Sequence, residues 1–255
     1  MESLLEKLDK NERFILKSDF YKELGDILPD MHIKGLICLG LGSPSESSQA
    51  LWQLALLRIL GKRLNVNAIS VWDPEFNNKD ETLFSEIQIS IEEVDIEVDQ
   101  IGDGSEDGDA NGSNVDNFYY LPHFPISALE QFISNVKPKY MLSNDMSVYS
   151  LKFTDREYFA KYPNCCRIAK LMDRANCASQ DRSFEIVSRR KNRRSKGKVI
   201  SKPIDFEFDK AWFDQNKINI KLLPLGNDIG EKWTVAFTDL SLITLSVTQI
   251  TTGTT

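Results

Sequence analysis

Histidine and paired cysteines are scarce in this sequence. Its 255 residues include two histidines and four cysteines, and no two cysteines stand in C-x-x-C spacing. Structural zinc sites use closely spaced cysteines and histidines, so we expect no metal site. We expect instead the reduced thiols of a cytosolic protein, with Cys38 inside a buried strand.

Long apolar runs are also absent. The most apolar stretch, residues 50–60, is interrupted by Gln53 and Arg58 and is shorter than a membrane span. The charged residues 1–11 do not resemble the apolar segment of a signal peptide. The net charge of −7 argues against nucleic-acid binding by the surface as a whole. We therefore expect a soluble, cytoplasmic protein with no membrane partner. Nucleic acid is the partner that the charge favours least.

The sequence does contain one strong signal for local structure, between residues 36 and 60. Four apolar residues bounded by glycines predict a strand buried on both faces, and a glycine-containing turn and an apolar helix follow it. We expect Ser43 to cap this helix, with Pro44 in its first position and Glu46 completing a capping box. Gly61 is expected to end the helix. Free amides at the start of such a helix are able to hold a phosphate or a carboxylate.

A second predicted strand, residues 68–72, completes a βαβ unit with two parallel strands. Asp73 follows this strand and is placed either to accept hydrogen bonds from a ribose or to cap the next turn. The dinucleotide fingerprint is incomplete, because Gly40 and Gly42 fill the first two glycine positions but Ser45 fills the third. Asp73 also lies farther along the chain than the usual ~20 residues. Binding of a nucleotide or of S-adenosylmethionine is therefore a hypothesis.

Polar residues also follow the predicted strands 118–121 and 139–143. Because the carboxyl ends of parallel strands share one edge of a sheet, where ligands bind, we expect a single site there. His123 is the candidate catalytic residue, as an acid, a base or a phosphate donor near neutral pH; the alternative is a histidine that fixes a turn. The candidate ligand-binding residues are Gly40, Gly42, Ser43, Ser45, Asp73, His123 and Asn144.

Three segments outside this unit have distinct compositions. Residues 3–28 predict one or two amphipathic helices, packed on the sheet or presented to a partner. Residues 101–117 predict an acidic, solvated insertion that includes part of a calcium-loop pattern; Phe118 stands where the bidentate glutamate is required, so we expect no calcium. A second insertion, about 175–205, contains the basic run 189–198. One interpretation of that run is a solvated, exposed loop. The other is a functional basic segment, as a nuclear-import signal or as a contact for an acidic partner.

Five short motifs occur in a characteristic order. They are residues 39–43 (LGLGS) with 53–57 (QLALL), then 73–76 (DPEF), 119–123 (YYLPH), 141–144 (MLSN) and 236–242 (AFTDLSL). This order resembles that of the sensitivity-to-red-light-reduced (SRR-like) domain family. Phe124 departs from the family pattern, which usually has a cysteine there, and argues against a thiol or metal role at that position.

The resemblance implies a eukaryotic regulatory protein with a Rossmann-like α/β domain. Family members are linked to circadian and light signalling, to regulation of haem biosynthesis and, in fungi, to microtubule-related processes, with no established enzymatic activity. We therefore expect a non-enzymatic regulator with a protein partner and, as a possible cofactor, a nucleotide, S-adenosylmethionine or a porphyrin-related ligand. The alternative is a nucleotide- or S-adenosylmethionine-dependent enzyme that uses the crevice at the strand ends. The expected location is cytoplasmic, and also nuclear if the basic run is an import signal.

The expected architecture is a single α/β domain over residues 1–255. We predict a mainly parallel sheet with helices on both faces. Its core should comprise residues of about 30–150 together with C-terminal strands between 217 and 250, among them a strand over residues 233–237.

Overall fold

The computed structural model of the protein describes residues 2–28, 32–92, 116–179, 218–223, 232–237 and 240–245. The calcium-like pattern, the basic run 189–198 and nearly all of both predicted insertions lie outside these ranges. The helices are α1 (Leu4–Ile15), α2 (Asp19–Ile27), α3 (Ser48–Arg63), α4 (Asn78–Glu86), α5 (Ile126–Val136), α6 (Asp155–Lys161) and α7 (Pro163–Ser179), with 3-10 helices at Met146–Leu151 and Lys232–Ala236. The strands are β1 (Gly35–Leu39), β2 (Ile69–Trp72), β3 (Ser90–Ile91), β4 (Asn117–Leu121), β5 (Tyr140–Asn144), β6 (Ile218–Leu222) and β7 (Leu240–Leu245).

The seven strands form one mixed sheet in the order β3-β2-β1-β4-β5-β7-β6. Neighbouring strands from β3 to β5 are parallel, whereas β7 is antiparallel to both β5 and β6. The predicted α/β class and the mainly parallel sheet are confirmed. The order changes direction between β1 and β4, so the chain leaves these two neighbouring strands towards opposite halves of the sheet.

Hydrophobic side chains fill both faces of the sheet. Leu36 and Cys38 of β1 belong to a core formed with α1, α2 and α3, while Leu39 belongs to a second core formed with α5 and α7. This division follows from the alternation of side chains along a strand. The amphipathic helices predicted over residues 3–28 are therefore packed elements of the first core. None of the described helices is long and apolar enough to cross a membrane.

The prediction for the ends of α3 was wrong. The helix starts at Ser48 and is capped by Ser47, whose side chain accepts a hydrogen bond from the amide of Ala50, whereas Ser43 lies in a turn that precedes the helix. Gly61 lies inside α3, and the space that a Cβ atom would need is filled by Ile69 of β2. Gly61 is therefore there because α3 packs closely on the sheet, and not because the helix ends.

The predicted strand over residues 233–237 is also wrong, because residues 232–236 form a 3-10 helix. Trp233 packs edge-on against Phe14 and Phe20 of the N-terminal segment, and Phe237 stacks on Phe20. Burial of Phe20, Trp233 and Phe237 outweighs the preference of the sequence for an extended chain.

Candidate functional site

A crevice of about 560 Å³ opens at the carboxyl ends of β1, β2 and β4. It lies beside the boundary between β1 and β4, where the strand order changes direction and where α/β sheets bind their ligands. Five of the seven candidate ligand-binding residues line this crevice, namely Gly40, Gly42, Ser43, Asp73 and His123. The remaining two, Ser45 and Asn144, lie behind it.

Both glycines of the loop after β1 have backbone angles that only glycine adopts without strain. Gly40 has φ 77° and Gly42 has φ 72°. The ring of Phe124 lies directly on Gly40, and a Cβ atom there would come within 2.6 Å of its Cδ2 atom. The first glycine therefore lets the loop after β4 pack against the loop after β1, and together they form one wall of the crevice.

Asp73 joins the loop after β1 to the loop after β2. Its Oδ2 atom accepts a hydrogen bond of 2.8 Å from the amide of Gly42, and its Oδ1 atom accepts one of 2.8 Å from the amide of Glu75. The second bond is the turn cap that the sequence allowed as an alternative. The role of Asp73 as a ribose acceptor stays a prediction.

Behind the crevice, Asp80 holds the turn that follows the glycine loop. Its carboxylate is completely buried and accepts hydrogen bonds from the Ser43 hydroxyl (2.7 Å) and the Ser45 amide (2.8 Å). It also accepts one from the amide of Asn77, the cap of α4. The sequence analysis missed Asp80, although its place in the first turn of a capped helix gave a signal that its side chain accepts hydrogen bonds.

His123 lies at the mouth of the crevice in the left-handed backbone region, with φ 51°. Its Nε2 atom is 2.7 Å from the side-chain amide nitrogen, Nε2, of Gln49. The loop after β4 and the first turn of α3 therefore meet across the opening. With Nε2 accepting from this amide, the neutral ring carries its proton on Nδ1. A non-glycine residue with positive φ is uncommon and often occurs at functional sites.

Asn144 is buried at the end of β5. Its amide nitrogen donates a hydrogen bond of 3.0 Å to the carbonyl of Phe124, while its Oδ1 atom has no partner among the described residues. Asn144 therefore supports the loop that carries Phe124 and does not line the crevice.

Several crevice residues were missed by the sequence analysis. Gln49 and Gln53 are four residues apart in the otherwise apolar α3 and both line the crevice. Glu46, Trp72 and Glu75 line it as well. The spacing of the two glutamines was a usable signal, because residues four apart lie on the same face of a helix.

The buried thiol of Cys38 lies in β1, two residues before Gly40. Burial, and to a lesser extent the charge of Asp73, raises the pKa of the Cys38 thiol well above its usual range. Burial likewise raises the pKa of Tyr120, which pairs with Cys38 across β1 and β4. Cys38 thus remains a neutral thiol near pH 7 and is unsuited to be a nucleophile. Within the described ranges, no group of three or more histidine, cysteine, aspartate or glutamate side chains is arranged to hold a metal ion.

Comparison with known proteins identifies one family. A family model described as the SRR1 domain matches residues 16–244, which is most of the chain. No curated protein and no solved structure matches the chain.

Proposed function

This chain belongs to the SRR1 domain family, and from that premise we propose that it is a regulatory protein that responds to a small ligand bound in the crevice. The observation that supports this proposal most strongly is the position of the crevice. It lies at the carboxyl edge of the sheet beside the change in strand order and has a volume within the range of small-molecule sites.

The construction of the crevice also supports ligand binding. Three loops form it, and each is fixed by hydrogen bonds: Asp73 joins two of them, Asp80 holds the turn after the first, and Asn144 holds the third. A site that is held in place before the ligand arrives loses less conformational freedom on binding.

The family resemblance supports a protein partner for this regulator. On that basis we place it in microtubule-related processes, in regulation of haem biosynthesis or in circadian and light signalling, in the cytoplasm and, through the basic run 189–198, in the nucleus. Affinity purification of the tagged chain tests the partner, and imaging with residues 189–198 made neutral tests the nuclear location. Failure to recover a reproducible partner would contradict the first of these proposals.

A second candidate function, methyl transfer from S-adenosylmethionine, is favoured by the strand order. The antiparallel β7 between β5 and β6 departs from the usual dinucleotide-binding order and is shared with Rossmann-like methyltransferases. This is an analogy of fold and does not establish the activity. In this function His123 would accept the proton of the methyl acceptor on Nε2, and the Gln49 side chain would have to move away from that atom first.

The two functions differ in what the variant His123→Asn should do. Asparagine tolerates the left-handed backbone that His123 adopts, so the loop should keep its shape. A regulator should show no turnover, either as the wild type or as the variant. A methyltransferase should form S-adenosylhomocysteine with cell-extract acceptors and lose this activity in the variant.

Ligand binding itself is testable by thermal unfolding of the full chain with S-adenosylmethionine, ADP, NAD and a porphyrin precursor. A ligand present at 100 times its dissociation constant stabilises the folded state by about 2.7 kcal/mol. For a chain of this size that corresponds to a rise in Tm of roughly 5–10 °C. The absence of any shift with all four probes would contradict the proposed function.

The variant Ala128→Trp tests whether a shift arises in the crevice. Ala128 is half-buried on α5 and lines the crevice, so an indole ring there should fill it and abolish the shift. Ser127→Trp is the matched control, because the adjacent Ser127 is exposed and does not line the crevice. A shift that survives in Ala128→Trp would place the ligand elsewhere.

A further inference from the structure

The crevice is lined by negative charge. The carboxylates of Glu46, Asp73 and Glu75 line it, and Glu46 and Glu75 are exposed to solvent. No lysine or arginine is found among the lining residues that the structure describes. Sites that bind phosphate or carboxylate groups usually supply arginine, lysine or free backbone amides, and the first two are missing from this lining.

Two of the backbone amides in the loop after β1 are also engaged. In phosphate-binding loops between a strand and a helix, successive amides point at the anion. Here the amide of Gly42 donates to Asp73 and the amide of Ser45 donates to Asp80, each at 2.8 Å. Asp73 thus occupies a backbone donor that lines the crevice, while Asp80 holds the Ser45 amide behind it, and both negative charges would repel a phosphate that approached.

The walls of the crevice suit a nucleoside, which joins a flat aromatic base to a sugar with hydroxyl groups. Trp72, Phe124 and Pro125 provide an apolar surface on which an aromatic base can pack. Gln49 and Gln53 provide amide groups that both donate and accept hydrogen bonds, and a carboxylate such as Glu75 accepts hydrogen bonds from hydroxyl groups.

From the charge, the engaged amides and the apolar walls, we infer that the crevice selects a cationic nucleoside, of the chemical class of S-adenosylmethionine, over nucleotides that carry phosphate groups. This inference rests on the proposed function, since it names the class of ligand for the same crevice. The sulfonium and ammonium groups of S-adenosylmethionine outweigh its single carboxylate, so the three carboxylates of the crevice attract it, whereas each phosphate of a nucleotide adds repulsion.

Isothermal titration calorimetry of the full chain with S-adenosylmethionine, adenosine and ADP tests the inference. Adenosine and ADP differ only in the diphosphate, so the pair isolates the effect of negative charge. We expect S-adenosylmethionine to bind at least about tenfold more tightly than ADP, and adenosine to bind more tightly than ADP. Binding of ADP that equals or exceeds that of S-adenosylmethionine would overturn the inference and leave the proposed function intact. Absence of binding by all three probes would overturn both.

A charge reversal tests whether the carboxylates of the crevice cause the preference. Glu75→Lys changes an exposed lining residue. We expect it to lower the ratio of the affinity for S-adenosylmethionine to the affinity for ADP about tenfold or more. Glu86→Lys is the matched control, because Glu86 is exposed at the far end of α4, outside the crevice, and the net charge changes equally. A ratio that is unchanged in Glu75→Lys, or that falls equally in Glu86→Lys, would overturn the inference.

Discussion

At the scale of single residues, two aspartates decide the shape of the candidate site. Asp73 and Asp80 each accept hydrogen bonds from the loop after β1, but they lie 31 and 35 residues away from the amides that they hold. The sequence predicted Asp73, because it directly follows a recognisable strand. It did not predict the role of Asp80, because a contact between a helix start and a distant turn leaves no local pattern.

Replacement of Asp80 by alanine should destabilise the protein. The change would leave the Ser43 hydroxyl and the amides of Ser45 and Asn77 without their acceptor, at a cost of about 2–4 kcal/mol. Urea unfolding measures this cost. The neighbouring Glu81→Ala is the control, because Glu81 is exposed on the same helix turn. Equal stability of the two variants would show that Asp80 does not hold the turn.

The buried thiols make a prediction about pH. Burial raises the pKa of Cys38 and of Cys165 well above the usual value, and raises that of Cys166 to about 11. Above about pH 9 the unfolded chain loses these protons while the folded protein keeps them, so the free energy of unfolding should fall as pH rises. Each such thiol contributes a slope of up to about 1.4 kcal/mol per pH unit.

Urea midpoints between pH 8 and pH 10.5 measure this slope. The variant Cys166→Ala removes one thiol and should make the slope shallower, although its stability at pH 7 is itself lowered by the smaller side chain. These three thiols should also resist alkylation at pH 8 until the protein is unfolded. Rapid alkylation of the folded protein at Cys38, Cys165 or Cys166 would contradict their burial.

At the scale of elements, the type of most helices and strands was predictable from the sequence, but not all of their ends were. The break between α6 and α7 was predictable from Pro163, which occupies the first position of α7. The start of α3 was not predictable, because both Ser43 and Ser47 are residue types that cap helices well. The hydrogen bond between Ser43 and the distant Asp80 keeps Ser43 in a separate turn. The 3-10 helix at 232–236 was also unpredictable, because its partners Phe14 and Phe20 are about 200 residues away in the chain.

Glu130 of α5 provides the cap that α7 lacks locally. Its buried carboxylate accepts hydrogen bonds from the amides of Asn164 and Cys165 and from the Asn164 side chain, all at 2.8–2.9 Å. Glu130→Gln replaces one accepting oxygen by a donor, and we expect a loss of about 2 kcal/mol and a lower Tm. Glu86→Gln serves as the control for removal of an exposed charge. If both variants unfold at the wild-type temperature, Glu130 does not join α5 to α7.

At the scale of the whole molecule, the parallel half of the sheet was predictable from the sequence. β1, β2, β4 and β5 are short, mainly apolar segments, each followed by a polar or glycine-containing turn. The βαβ rule predicts right-handed crossovers between such parallel strands. The position of β7 between β5 and β6 was not predictable, because strand order at the end of a chain is set by which edge remains open. That position nevertheless bears on function, since it distinguishes the sheet from the usual dinucleotide-binding order.

The central claim, that the crevice at the carboxyl edge is the ligand site, is most directly tested by hydrogen exchange of the full chain with and without saturating S-adenosylmethionine, followed by mass spectrometry. Bound ligand should slow amide exchange in the three crevice loops, residues 40–49, 73–77 and 122–125. Residues 64–68 connect α3 to the amino-terminal end of β2, at the end of the sheet opposite the crevice, and their exchange should not change. Slower exchange in all three crevice loops with residues 64–68 unaffected is the predicted result. Unchanged exchange in the crevice loops, or protection confined to other parts of the chain, would contradict the claim.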